Sequence, residues 1–335
     1  MIRSILGVVA LLSVVIAFAF RYQLSQQAYT PVKIPSSLAK GAFHIHTDAS
    51  HDGRQTREEV MRAARALNLD FIVVTEHNLE EWTLEEIDGL WVIRGPELSL
   101  KHGHTVRLIN PEEPLDIVAH PGRPRRPRTE ALTTEQGIEL VNPTVTLEEL
   151  LYRAPLTLGL SFISYLAEPS LGLLSLLEVD RTALSFLNSK QRRSLWCAVD
   201  SHGWLPPRLN LSLWTLSLAV PRHTLSSETL IKALQEGPKG CFTSLLSTSQ
   251  PIEVSTVENG TWKIQLKASL AYPGSFRLYR DGELITTSSR DSFSYTPKIS
   301  GNYHVEYWVQ ARALPLMSRP QLAAFRPLPT TQAPK

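Results

Sequence analysis

The sequence predicts an α/β fold, a parallel sheet or barrel, followed by a small antiparallel β unit and preceded by a membrane segment. Three observations carry that reading. Between Gly41 and about Val220 short β-rich runs alternate with helical patterns, as βαβ units require. After Gly240 they give way to alternating segments separated by Pro-Gly, Asp-Gly and Ser-Gly turn signals. An uncharged run, Ile5 to Phe20, flanked by Arg3 and Arg21, opens the chain.

Composition agrees with a folded chain. With 335 residues, 43% hydrophobic, 20% charged and a net charge of +2, a disordered chain, a collagen-like repeat and a polytopic membrane protein are excluded. That length allows about two domains, and the balanced charge gives no argument for a nucleic-acid partner. Two cysteines, Cys197 and Cys241, are too few for a disulfide scaffold or a Cys-rich zinc finger. The 10 histidines are informative by position, since most of them fall between His44 and His120.

The apolar run is a little short of the ~20 residues a spanning helix needs, so residues 1–21 read as a signal anchor or a signal peptide. Ala17-Phe18-Ala19 has the small-x-small form of a cleavage site. Either alternative carries the remaining chain across the membrane, outside the cytoplasm, and into the periplasm in a bacterium. Residues 22–40, polar and holding Pro31 and Pro35, read as a linker. The main domain is expected over 41–240 and a β-sandwich-like (Ig-like) domain over 241–312. In 313–335 the prolines at 315, 320, 327, 329 and 334 predict a flexible tail.

Within the main domain, Thr56 to Leu67 is helical by its Val60, Ala63, Ala64, Leu67 stripe. Ser226 to Gln235 is a second helix, stopped at Gly237-Pro238. The apolar stretch 147–177 is broken by Pro155 and Glu168-Pro169, which favours buried helices over a second membrane span.

Most of the β-rich runs end in a residue able to bind metal, and ligands collect at the carboxyl ends of strands in such folds. AFHIH ends in His44 and His46, two positions apart and so on one strand face. Asp52 follows in the next loop, His77 ends DFIVVTEH, Glu97 lies in GPEL, His104 opens HTVRLI, His120 ends DIVAHP, and Asp200 and His202 close WCAVDSH. Nine donors exceed one tetrahedral ion, so two or three divalent metal ions (Mn, Zn or Fe) are expected. Asp48 and His51 compete with Asp52, and His102 with His104; the residue beside Gly53 and the residue opening a strand are preferred. His223 and His304 lie outside these motifs and read as ordinary surface or sheet residues.

The order HIHTDASHDG, TEHN, GPELS, AHPG, VDSHG resembles the polymerase-and-histidinol-phosphatase (PHP) family of metallohydrolases, and FRLYRDGEL with ISGNYHVEYWV resembles, more loosely, the β-domain of its CehA/McbA-like branch. The resemblance covers residues 43–203 and implies a distorted (β/α)7 PHP barrel with a binuclear or trinuclear site. Its ligands would be His44, His46, Asp52, His77, Glu97 as the bridging carboxylate, His104, His120, Asp200 and His202. Glu76 and Ser201 stand where the family commonly has Asp and Ala; neither is a ligand position.

The expected chemistry is ester hydrolysis by a metal-bridged hydroxide, with Asp200 able to accept the water's proton. Arg123, directly after His120, is the candidate for binding a substrate phosphate; Arg125, Arg126 and Arg128 read as a solvated, Pro-stiffened loop. A phosphoesterase acting on a small molecule is the leading expectation, a carboxylester or carbamate hydrolase of the CehA type the alternative. A binding module with a dead site would have lost ligands, and none of the nine is lost.

Overall fold

In the computed structural model the described residues are 31–34, 36–77, 82–101, 103–108, 114–124, 136–167, 169–174, 177–187, 193–257, 260–270, 272–310 and 320–329. Residues 1–30, on which the expected membrane segment and the first part of the expected linker fall, and His102, Arg125, Arg126 and Arg128 lie outside them. Among the described residues no helix is long and apolar enough to cross a membrane.

The chain is a mixed α/β structure dominated by one large sheet. Its first half contributes β1 (Leu38–Ile45), β2 (Phe71–His77), β3 (Thr83–Ile87), β4 (Leu90–Leu100), β5 (Gly103–Leu108), β6 (Leu115–Ala119), β7 (Gly137–Val141) and β8 (Ser194–Cys197). Pairing is parallel for β1 with β2, β2 with β4, β6 with β7 and β7 with β8, but β5 runs antiparallel to both β4 and β6. The parallel arrangement expected from alternating elements is therefore corrected at β5, and at β3, which runs antiparallel to β4. Gly103 and Pro114 delimit connections too short for a crossover helix, so these strands reverse instead.

Helix α1 (Arg57–Ala66) forms where its apolar stripe predicts. Thr56 caps it: the Glu59 N–H donates to Thr56 Oγ1 at 3.2 Å and the Thr56 N–H to Glu59 Oε2 at 2.9 Å, a capping box. Val60, Met61, Ala63 and Ala64 are its buried side. Helices α2 (Pro143–Arg153), α3 (Pro155–Ala167), α4 (Pro169–Leu174) and α5 (Arg181–Phe186) fill the stretch before β8, each of the first three opening on a proline whose missing N–H costs nothing at a helix start. They are less buried than their composition suggests: Leu151 and Leu156 are exposed. α6 (Pro207–Leu213), β9 (Thr215–Pro221) and α7 (Ser227–Glu236) follow, α7 ending at Gly237 with φ 80°.

The C-terminal part is not a separate sandwich beginning at residue 241. β10 (Gly240–Phe242) pairs with β9 on one side and with the last strand, β17, on the other. The later strands are β11 (Ile252–Thr256), β12 (Trp262–Leu266), β13 (Gly274–Arg280), β14 (Glu283–Ser288), β15 (Ser292–Tyr295), β16 (Tyr303–Val309) and β17 (Gln321–Pro327). The large sheet runs β14-β13-β16-β17-β10-β9-β1-β2-β4-β5-β6-β7-β8, and β11-β12-β15 form a second, three-stranded sheet. Two layers do exist locally: Trp262 meets Tyr303 edge-on at 5.0 Å and Phe276 meets Phe293 at 5.5 Å. The expected tail is likewise corrected over 321–327, which is a central strand with Leu322, Ala324 and Phe325 fully buried.

Cys197 and Cys241 form a buried disulfide joining β8 to β10, with Cα atoms 6.1 Å apart. Under the site the core is aromatic, with Phe43 and Trp196 rings 4.9 Å apart and both fully buried.

Candidate metal centre

Backbone geometry at the cluster departs from regular strand. His44 (φ 69°), His120 (φ 30°) and Asp200 (φ 45°) occupy the left-handed region that ordinary side chains avoid. The β1–β2 register shifts between Phe43 and Ile45, placing His44 in a bulge. The two histidines thus converge through a re-aimed backbone rather than through strand alternation alone, with ring centroids 5.1 Å apart. His104, at the start of β5, faces the same way as residues at the ends of other strands because β5 is reversed: it pairs with Ser99 on β4 and Ala119 on β6, next to His120.

Glu97 is the centre of the arrangement. Its Oε1 lies 2.8 Å from His104 Nδ1 and 2.8 Å from His120 Nε2, while Oε2 lies 3.4 Å from His44 Nε2, 3.3 Å from His46 Nε2 and 3.3 Å from His77 Nδ1. Asp200 Oδ1 stands 3.4 Å from His44 Nε2 and 3.7 Å from His46 Nε2. A third group gathers at Asp52, whose Oδ2 is 3.1 Å from His77 Nε2 and 3.2 Å from His202 Nε2. All nine donors expected from the sequence therefore meet.

These separations suit ligands of shared ions. Two ligands of a tetrahedral ion with bonds of ~2.1 Å are about 3.4 Å apart. Four sets of donor atoms, each within 4.8 Å of one another, recur here: His46, Asp52, His77 and His202; His44, Glu97 and His120; His44, His46 and Asp200; His77, Glu97 and His104. His44 Nε2, His46 Nε2, Asp52 Oδ1 and both Asp200 carboxylate oxygens are buried without a hydrogen-bond partner. Each such orphan costs about 1–3 kcal/mol, a cost that bound cations would remove. The residues fit divalent metal.

No family model, curated protein or solved structure matches this chain.

Supporting groups fix which ring nitrogen faces inward. His44 Nδ1–H donates to Glu139 Oε1 at 2.5 Å, His202 Nδ1–H donates to the Asp200 carbonyl at 3.1 Å, and His46 Nδ1 lies 3.4 Å from Ser50 Oγ. In each case Nε2 is left for an ion. Glu139 is the residue that sequence reasoning missed: its Oε2 also accepts the His120 N–H at 2.7 Å and the Asn142 side-chain amide at 3.0 Å. The available signal was one carboxylate inside a fully buried five-residue strand, GIELV.

Glu76 has a use of its own. It accepts the Thr47 N–H at 3.2 Å and the Thr47 hydroxyl at 2.5 Å, tying the Asp52 loop to the end of β2. Gly53 is required in that loop, because a Cβ there would stand 1.8 Å from the Thr47 carbonyl oxygen. Of the competitors, Asp48 and His51 are exposed, and Asp52 holds the contacts. The sequence also gave no hint of the exposed Trp204 beside His202, over whose ring Arg54 stacks at 3.4 Å.

Electrostatics follow from burial and pairing. Burial opposes a charge on Glu97, yet His44 and the His104 and His120 hydrogen bonds hold its carboxyl well below the usual range. Burial likewise opposes a charge on Asp200, and His44, His202 and His120 outweigh it. For His44 burial is overcome by Glu139, Asp200 and Glu97, which raise its pKa well above the ordinary value. At His46 burial wins, lowering the pKa to about 4 despite Glu97.

Arg123 is beside the site but engaged: its Nε and Nη2 donate to Glu148 Oε1 on α2 at 3.1 and 3.0 Å. Among the two residues outside all motifs, His223 is exposed, whereas His304 is a buried sheet residue 3.2 Å from Glu306.

Proposed function

We propose that this chain is a metal-dependent hydrolase of the PHP type, acting on a small-molecule phosphoester outside the cytoplasm. The observation that carries the reading is Glu97, one carboxylate oxygen turned to His104 and His120 and the other to His44, His46 and His77. A carboxylate so placed is what a bridging ligand between neighbouring ions needs. The family's closed barrel is supported by three hydrogen bonds returning the chain after β8 to β1: Val199 N–H to the Phe43 carbonyl (2.9 Å), Ser201 N–H to that of His44 (3.2 Å) and His46 N–H to that of Ser201 (2.8 Å).

Two or three divalent ions, when bound, would supply Lewis acidity at the scissile ester and lower the pKa of water toward neutrality. The chain's own residues do the rest. Asp200 presents Oδ1 to His44 and His46, and its Oδ2, without a hydrogen bond, would take the attacking water's proton. Glu139 holds His44 in orientation, and the disulfide under β8 suits the oxidising compartment to which the segment Ile5–Phe20 would deliver the body.

The Arg123–Glu148 pair favours a second reading, hydrolysis of a neutral carboxylester or carbamate, because a guanidinium already neutralised is a weaker phosphate anchor. Protein purified without chelator and assayed on nitrophenyl phosphate, bis(nitrophenyl) phosphate and nitrophenyl acetate separates the two. Chelator-sensitive phosphoester turnover supports the first; turnover of the acyl ester alone supports the second; none on any substrate after metal supplementation overturns both.

A further inference from the structure

A cavity of about 550 Å³ opens at the opposite end of β8 from the metal centre. Its wall includes Ser194, which begins β8, whereas Asp200 follows the end of that strand. At ~3.3 Å per residue the two places are up to about 20 Å apart. Lys239 and Arg326 line this cavity and also a neighbouring one of about 290 Å³, to which Lys267 is added. Cationic side chains thus line both cavities, which the motifs of the metal centre do not touch.

Among the described residues neither Lys239, Lys267 nor Arg326 forms an ion pair with an acidic residue. Arg326 spends Nη1 on the Ile252 carbonyl at 2.8 Å, and burial lowers its pKa, with Glu253 opposing. Glu253 is itself occupied by the Gln265 amide at 2.6 Å. The acidic residue on the wall, Glu236, is exposed at the end of α7. Like charges lining one cavity repel one another, and an anion reverses the sign of that interaction. The remaining wall is mixed: Leu195, Val254 and Leu328 give it an apolar side, and Arg193, Asn302 and His304 a polar one.

We propose that this cavity is a second binding site, for a small organic anion whose phosphate, phosphonate, sulfonate or carboxylate group sits between Lys239 and Arg326 and whose apolar body lies against Leu195 and Val254. It is independent of what the metal centre hydrolyses. The pairing is charge-assisted on both sides, and the apolar contact selects against inorganic anions.

Phenylphosphonate, which carries no ester bond, is the probe. Isothermal titration of the full-length chain in detergent is made before and after removal of metal with a chelator. Binding with unchanged affinity in the metal-free protein, weakened about 10-fold or more in Arg326→Met and in Lys239→Met, is the expected result. Lys239 is exposed, so its variant keeps the test decisive where Arg326→Met fails to fold. Loss of binding on metal removal would place the anion at the metal centre and overturn the proposal. Unchanged affinity in a folded Lys239→Met or Arg326→Met protein, or no binding to the wild type, overturns it as well.

Discussion

The Glu139 carboxylate lies 2.5 Å from Nδ1 of His44, both groups wholly buried, and the same carboxylate holds the main chain of His120 through its other oxygen. Two candidate ligands, His44 in β1 and His120 just past β6, are thereby oriented by one residue that is in none of the four donor sets. Glu139→Gln keeps the shape and removes the charge, so metal affinity should fall about 10–100-fold. Competition against a chromophoric chelator measures it, and an unchanged affinity would deny Glu139 this orienting part.

Arg123 and Glu148 make the clearest test of substrate charge. Should Arg123 leave Glu148 to meet a substrate phosphate, Arg123→Ala raises the Michaelis constant for a phosphoester about 10-fold or more, a charge-assisted pair being worth about 1.5–3 kcal/mol. An acyl ester should be nearly unaffected, and Glu148→Gln should lower the phosphoester constant by releasing the guanidinium. Equal effects of Arg123→Ala on both esters would make the residue a support for the loop after His120.

Between pH 6.5 and 4 the metal-free protein should lose stability as pH falls. His46 has a pKa lowered from 6.5 to about 4 by burial, so it is neutral in the fold while the unfolded chain gains a proton below 6.5. Unfolding is therefore favoured progressively between pH 6.5 and 4, by about 3 kcal/mol if the whole shift is realised. Urea midpoints of chelator-treated wild type and His46→Asn, taken across that window, measure it. A wild-type midpoint that does not fall more than the variant's would show that His46 titrates normally.

The buried Cys197–Cys241 bridge and the membrane role proposed for Ile5–Phe20 make a joint prediction about location. A reporter fused after Lys40 should be active outside the cytoplasm, and protein from intact cells should react with thiol reagents only after reduction and unfolding. Cys197→Ser with Cys241→Ser should cost about 2–4 kcal/mol. Reporter activity confined to the cytoplasm, or freely reactive thiols in the unfolded, unreduced protein, would reverse this reading.

The candidate ligand set was legible because chemistry-bearing residues punctuate otherwise apolar strands, as His77 does after FIVVTE and His120 after DIVA. Glu139 was not, since it sits inside its strand rather than at the end, and nothing local says that a histidine from β1 will reach it. The antiparallel course of β5 was hidden for a similar reason: His104 precedes its strand, and only the pairing with β4 and β6 brings it to the common end. Strand β17 was masked by prolines that bound it, Pro320 before and Pro327 at its close, without interrupting the ladder between them. The large sheet's continuity through β10 depends on that strand, so the domain boundary went astray with it.

Metal content measures the central claim most directly. Full-length protein expressed with supplemented divalent metal and purified without chelator should contain two or three transition-metal ions per chain by elemental analysis. Glu97→Gln, lacking the bridging charge, should hold fewer and lose at least about 100-fold in turnover. Fewer than one ion per chain in the wild type, or full metal content and near-normal activity in Glu97→Gln, would contradict a centre built around Glu97.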